Sequence, residues 1–219
     1  MNKHKMTTKE LTTLAMLTAI AYALVATIRI PIVLFLKYEP KDVVITIGGF
    51  LMGPGAVLAS SCVVALIEMF TISETGIIGC IMNLLSTCSF AFTAAYVYKQ
   101  RHTMGGAIAG LVTGSVVMVI TMLLWNYLIT PLYMTGYSRA DVAALLPTLF
   151  LPFNLAKGGM NMAATLLLYK PVVTAMRKAG LVPPSKSGQN KKLNTGFLLF
   201  SLALLATFVT YALVLAGVI

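Results

Sequence analysis

Negative charge is what this chain has least of. It carries six Asp and Glu against sixteen Lys and Arg, and only 10% of its 219 residues are charged. A water-soluble domain carries about 25% charge, so an ordinary soluble enzyme is excluded. Histidine occurs twice, at His4 and His102, both at basic, water-facing ends. No His-based metal cluster can be assembled, and no metal site is expected. Cys62, Cys80 and Cys88 are dispersed in apolar runs without CxxC spacing, which argues against a disulfide framework or a zinc site. They read as small buried hydrophobes. No Walker A pattern occurs, so the chain cannot drive transport with an ATPase of its own. No internal repeat is visible, which leaves an inverted-repeat transporter without support. The length leaves no room for a soluble catalytic module between spans.

What the chain has is apolar length: 58% hydrophobic residues and a mean hydropathy of +0.90. The fold class expected is an all-α integral membrane protein. Leu11–Ile28 is long enough to cross. Lys3, Lys5 and Lys9 before it and Ala21-Tyr22-Ala23 within it imitate a signal peptide, but apolar sequence continues past that box, so a retained first span is expected. Residues 29–42 are mixed polar. Val43–Ile72 is longer than one crossing needs and is broken at Gly53-Pro54-Gly55, where proline between two glycines stops a helix. Further spans are expected over Gly76–Tyr98, Gly105–Ile129 and Thr148–Tyr169, with a loop over 131–147 and a last apolar run at Thr195–Ile219.

Charge decides how the broken segment is read. If Gly53–Gly55 is the turn of a helical hairpin, then Lys3, Lys5, Lys9, Lys99, Arg101, Lys170, Arg177, Lys178, Lys186, Lys191 and Lys192 all fall on one side. That is eleven of the sixteen basic residues, with Glu10 the one acid among them. The positive-inside rule then favours the hairpin and a cytoplasmic N-terminus. The net charge of +10 is topology charge beside hydrophobic ends, and no nucleic-acid partner is expected. The expected organisation is a six-helix membrane domain over 1–178, a basic cytoplasmic linker over 179–193 and an extra hydrophobic helix over 194–219.

Polar residues gather in the half opposite the basic ends. Asn154, Lys157 and Asn161 fall at i, i+3 and i+7, one face of a helix, inside an apolar span. An ammonium there costs about 2.5–3.5 kcal/mol on insertion scales, so it is expected to face a cavity, a partner or a ligand. Glu68, Thr75, Gly76, Asn83, Trp125 and Asn126 lie at the same level. Amides and an ammonium among aromatic and Met side chains suit a planar, uncharged, hydrogen-bonding small molecule. Glu39 and Asp42 read as solvated loop acids paired with Lys37 and Lys41, with Tyr38 between them suggesting a lid. No nucleophile–base–orienter set appears. Ala15, Ala19 and Ala23 form a smooth stripe on the first helix, open to internal packing or to a partner helix.

Several segments together resemble a known family. Leu36-Lys37-Tyr38-Glu39-Pro40-Lys41-Asp42, the run from Leu124-Trp125-Asn126-Tyr127 to Tyr133-Met134, Pro152-Phe153-Asn154-Leu155-Ala156-Lys157-Gly158 and Leu168-Tyr169-Lys170-Pro171 are similar to the riboflavin-specific substrate-binding (S) component of energy-coupling factor (ECF) transporters. The match runs in order over about residues 10–178. The resemblance implies a six-helix, multi-pass protein of the bacterial cell membrane that is not an enzyme and has no cofactor of its own. Riboflavin would be its transported ligand. Its partners would be a transmembrane coupling subunit and two cytoplasmic ATPases that use ATP. Asn126, Asn154, Lys157 and Asn161 would hydrogen-bond the ribityl chain or ring edge. Tyr38, Glu39 and Trp125, with the first loop, would cover the isoalloxazine, and Glu68, Thr75, Gly76 and Asn83 would be secondary contacts. Ala15, Ala19 and Ala23 would meet the coupling subunit. The run 195–219 departs from the six-helix pattern. Other readings are an S component for another vitamin such as thiamine or a pterin, a small membrane enzyme using Glu39, Asp42 or Glu68, and a self-sufficient channel or carrier.

Overall fold

The computed structural model describes residues 6–34, 36–133, 136–182 and 195–219. Helix α1 (Thr8–Thr27) opens on a capping box, in which Glu10 N–H donates to the Thr7 hydroxyl and Thr7 N–H to the Glu10 carboxylate. A two-stranded antiparallel hairpin follows, β1 (Ile30–Val33) and β2 (Leu36–Tyr38). Then come α2 (Lys41–Met52), α3 (Pro54–Thr71) and α4 (Gly76–Thr87), which runs through a π-helical turn at Cys88–Phe92 into α5 (Thr93–Arg101). The chain ends with α6 (Met104–Tyr133), α7 (Arg139–Leu145), a second π-helical turn at Leu146–Phe150, α8 (Leu151–Lys178) and α9 (Thr195–Leu215). Among the described residues six stretches are long and apolar enough to cross a bilayer: α1, α3, α4–α5, α6, α7–α8 and α9. Only α2 is too short.

The helical hairpin expected at Gly53 is present. Gly53 takes φ +90°, a conformation glycine tolerates, and Pro54 starts α3, where its missing N–H has no role to fill. Lys41, at the start of α2, bonds Glu68, near the end of α3, while Gly49 packs on Val57 close to the turn, so the two helices run antiparallel. At 1.5 Å per residue, the twelve residues of α2 reach about 18 Å, against a hydrocarbon core of about 30 Å. The first turn of α2 therefore starts well inside the bundle.

Long-range bonds sort the two ends. Thr13 Oγ1 donates to the Leu181 carbonyl at 3.2 Å, and the Tyr98 and Tyr169 hydroxyls meet at 3.1 Å. The start of α1 thus shares one end with the last turns of α5 and α8. At the other end, Arg29 NH1 donates to the Ile72 carbonyl at 2.8 Å and Lys37 Nζ bonds Glu74 at 2.8 Å. Between them, Phe90, Ala91, Ala94 and Ala95 pack with Leu111, Met118 and Val57 in the main core. Gly110 and Gly114 bring α6 onto α5: a Cβ at Gly110 would stand 2.6 Å from the Ala94 carbonyl oxygen. This is the close approach that small residues four apart allow in lipid.

Two expectations are corrected. Among the described residues, much of the loop expected over 131–147 is helix: α6 continues through Tyr133, and Ser138 and Asp141 form a capping box that starts α7. The mixed polar residues 29–42, read as the first loop, hold the β hairpin and the first residues of α2. The linker expected over 179–193 lies largely outside the described residues, which resume at Thr195.

Candidate functional site

The short α2 buries its own charges. Lys41 and Asp42 occupy its first turn, and Asp42 is fully buried. Lys41 Nζ bonds both carboxylate oxygens of Glu68, at 2.5 and 2.7 Å, and Glu39 Oε2 at 2.8 Å. Glu39 also accepts from Arg29 Nε at 3.0 Å. Asp42 accepts from the Thr87 hydroxyl at 2.7 Å and from Asn161 Nδ2 at 3.2 Å, and Lys157 Nζ lies 3.5 Å from it. Lys157 donates to Ser86 Oγ at 2.9 Å. Arg29, Lys41 and Lys157 thus face Glu39, Glu68 and Asp42, three cations against three carboxylates. Ion pairs this buried hold only when their geometry is completed by hydrogen bonds, which Ser86, Thr87, Asn83 and Asn161 supply.

This corrects the reading of Glu39 and Asp42 as solvated loop acids. Both are buried, Lys37 pairs with Glu74 instead, and Asp42 lies beside Lys157. Burial raises the Glu39 carboxyl, but Lys41, Lys157 and Arg29 more than offset it and hold the group below the ordinary glutamate value of about 4.5. Burial and the Asp42 charge push the Tyr38 phenol well up, so it stays neutral.

Above this network, at the end opposite the start of α1, is a cavity of about 100 Å³. Its walls come from α4 (Ile78, Gly79, Met82, Asn83, Ser86), α6 (Met122, Asn126, Tyr133) and α8 (Phe153, Asn154, Lys157). Arg29, Leu36, Lys37, Glu39 and Ser73–Thr75 frame its mouth. Small-molecule pockets measure roughly 300–1,000 Å³, so a vitamin-sized guest requires the mouth to open. The mouth is tied by the Lys37–Glu74 pair and the Arg29 bond to Ile72.

Of the residues singled out from sequence, Glu39, Thr75, Asn83, Asn126, Asn154 and Lys157 line this cavity. Asn126 Nδ2 donates to the Met122 carbonyl and its Oδ1 accepts from Thr130, while Asn154 Nδ2 donates to the Phe150 carbonyl in the π-helical turn. Pro147 within that turn and Pro152 just after it break the regular ladder. Glu68 stands behind the wall, holding Lys41 and Asn83 Nδ2. Asn161 lies one helical turn deeper on α8, orienting Asp42, with its Oδ1 buried and unpartnered among the described residues. Gly76 opens α4 with φ +55° and does not line the cavity. Tyr38 is packed in an apolar cluster with Phe150 and Phe153, and Trp125 packs half-buried on the main core. Neither lines the cavity.

Sequence reasoning missed Arg29, Ser73, Glu74 and Ser86. Ser86 was within reach, because Gly79, Met82 and Ser86 share a helical face with Asn83, the residue already chosen on α4. Arg29 carried no local signal beyond ending an apolar run.

On the outer surface, Ala15, Ala19 and Ala23 are exposed on α1. Ala15 and Ala19, with Tyr22, line an apolar groove of about 440 Å³, faced across by Ala59, Val63 and Ile67 of α3.

The family model described as the substrate-specific component of ECF transporters matches residues 9–169. The riboflavin transporter RibU of Staphylococcus aureus (strain TCH60) is 30% identical over 179 residues, covering 78% of this chain and 93% of that protein. RibU of Streptococcus thermophilus (strain ATCC BAA-250 / LMG 18311) is 27% identical over 183 residues, with coverages of 78% and 86%. The riboflavin transporter FmnP of Bacillus subtilis (strain 168) is 26% identical over 188 residues, with coverages of 80% and 98%. A solved structure described as the S component of a bacterial ECF transporter superposes with a TM-score of 0.62 at 29% identity, covering 77% of this chain and 98% of its own.

Proposed function

We propose that this chain, which belongs to the family of ECF-transporter substrate-specific components, is the subunit that captures riboflavin for an ATP-driven vitamin importer. The observation that carries this reading is the convergence of Asn83, Asn126, Asn154 and Lys157 from three helices on one cavity, in a chain 30% identical to a riboflavin transporter. Three cations balanced by three carboxylates leave the cavity floor near neutrality, which suits an uncharged guest better than an anion. Amide and ammonium groups offer hydrogen bonds to the ribityl hydroxyls and the ring edge. Met82, Met122, Ile78 and Phe153 offer apolar and polarisable faces to the flavin ring.

The chain is a multi-pass membrane protein, and we place it in the bacterial cell membrane with the basic end cytoplasmic and the cavity outside. The positive-inside rule supports that orientation. The energy source lies elsewhere, in two ATPases acting through a transmembrane coupling subunit. The α1–α3 groove with Ala15 and Ala19 at its floor suits a helix of that subunit, because small side chains let backbones approach closely in lipid.

The test is optical. Freshly purified protein is expected to carry the yellow flavin spectrum, released on denaturation, and to quench added riboflavin to a one-to-one end point. Absence of saturable quenching, or displacement of riboflavin by thiamine or a pterin at equal concentration, would remove this assignment.

A further inference from the structure

Helix α9 starts at Thr195, beyond the residue 169 at which the family match ends. It is the most apolar of the six spans, with a mean hydropathy of 2.4, and yet it is built into the bundle. Ser201, Leu204, Leu205, Phe208, Tyr211, Ala212 and Leu215 recur at three- and four-residue intervals as its less exposed stripe. Gly159 of α8 receives Phe208: a Cβ there would overlap the Phe208 ring. Gly158 faces the other way, toward Ser115 and Met118 of α6. The two glycines after Lys157 thus let α6 and α9 close on α8 from different sides at the level of the cavity floor.

Higher up, Ala212 is buried in one apolar cluster with Ile32, Leu36 and Tyr38 of the β hairpin and Phe150 and Phe153 at the top of α8. Leu36 and Phe153 belong to that cluster and also line the cavity. Outside that cluster the hairpin is anchored at its base, by the Arg29 bonds to Ile72 and Glu39, while its own strands add little. Its strands are four and three residues long, and two-stranded hairpins are marginal alone. The Lys37–Glu74 pair that ties it is exposed on the Glu74 side, where ion pairs contribute little.

We infer that α9 is a positioning element: seated on Gly159 through Phe208, it braces the β1–β2 hairpin over the cavity mouth and so limits how fast ligand enters and leaves. This rests on the cavity being the riboflavin site. A loosened brace speeds opening in the free and the loaded protein alike. Association and dissociation rates should therefore both rise, by about threefold or more, with Kd changing less than either. A defect in the site itself would appear mainly in the dissociation rate and in Kd.

The experiment compares the full-length chain with Phe208→Ala and the milder Leu215→Ala. Amide exchange of the hairpin residues is read by mass spectrometry, and riboflavin exchange by stopped-flow fluorescence. Faster exchange over 30–38 with α3 and α5 unchanged, and faster entry and release, is the expected result. Unchanged hairpin exchange in either folded variant would overturn the brace, whatever riboflavin does. Loss of riboflavin binding by the unmodified chain would instead overturn the ligand assignment, because the hairpin readout does not need the vitamin.

Discussion

Lys157 illustrates how a residue's cost is met. Its ammonium is buried against Ser86 and Asp42, so the protein itself supplies the first compensation. Lys157→Met should weaken riboflavin by about 1–3 kcal/mol, roughly 5- to 150-fold in Kd, and should also lower the unfolding temperature by stranding Asp42. Adding Asp42→Asn should recover stability without recovering affinity; recovery of both would mean that the lysine does not touch the ligand. Glu39 sets a pH limit. Its folded carboxyl is held below about 4.5, so its contribution is complete above that value and is lost as pH falls through the lower folded one. Thermal unfolding in detergent should fall off below about pH 4.5, and Glu39→Gln should flatten that part of the profile.

Helices show where local signals suffice and where they fail. The break at Gly53-Pro54-Gly55 was legible because proline and glycine act through their own backbone. The start of α7 carried a legible signal too, Ser138 three residues before Asp141, but the polar stretch around it hid the helix. The β hairpin was not legible: its strands are short, one contains Pro31, and its apolar side chains are buried by α8 and α9 rather than by each other. Close helix contact makes a sharper prediction. Gly110→Leu should destabilise the bundle by about 1–3 kcal/mol in thermal unfolding, because its Cβ would meet the Ala94 carbonyl at 2.6 Å. Gly55→Ala meets nothing within 4 Å and should leave stability unchanged or slightly raised.

At the scale of the whole molecule, the surfaces proposed for binding and for coupling are different ones. The cavity lies between α4, α6 and α8, while the Ala15–Ala19 groove lies between α1 and α3. Ala15→Trp or Ala19→Trp should therefore abolish cellular uptake and leave riboflavin affinity of the purified chain unaltered. Full uptake by both variants would remove the docking surface. A cysteine placed at His102 should react only with reagent supplied from the cytoplasmic side, and labelling from outside would invert the topology.

Hydropathy, helical period and the sidedness of basic residues are local properties, so the spans, the paired turn at Gly53 and the polar face of Lys157 could be taken from the chain itself. Which acid meets which base could not. Asn161 and Asp42 are 119 positions apart, and Lys157 and Ser86 are 71 apart. The packing of a helix too short to span carries Asp42 below the surface to Asn161, and the approach of α4 to α8 brings Ser86 to Lys157. The seat of α9 on Gly159 was decided the same way, by which side chain is missing from the facing helix when the two come into contact.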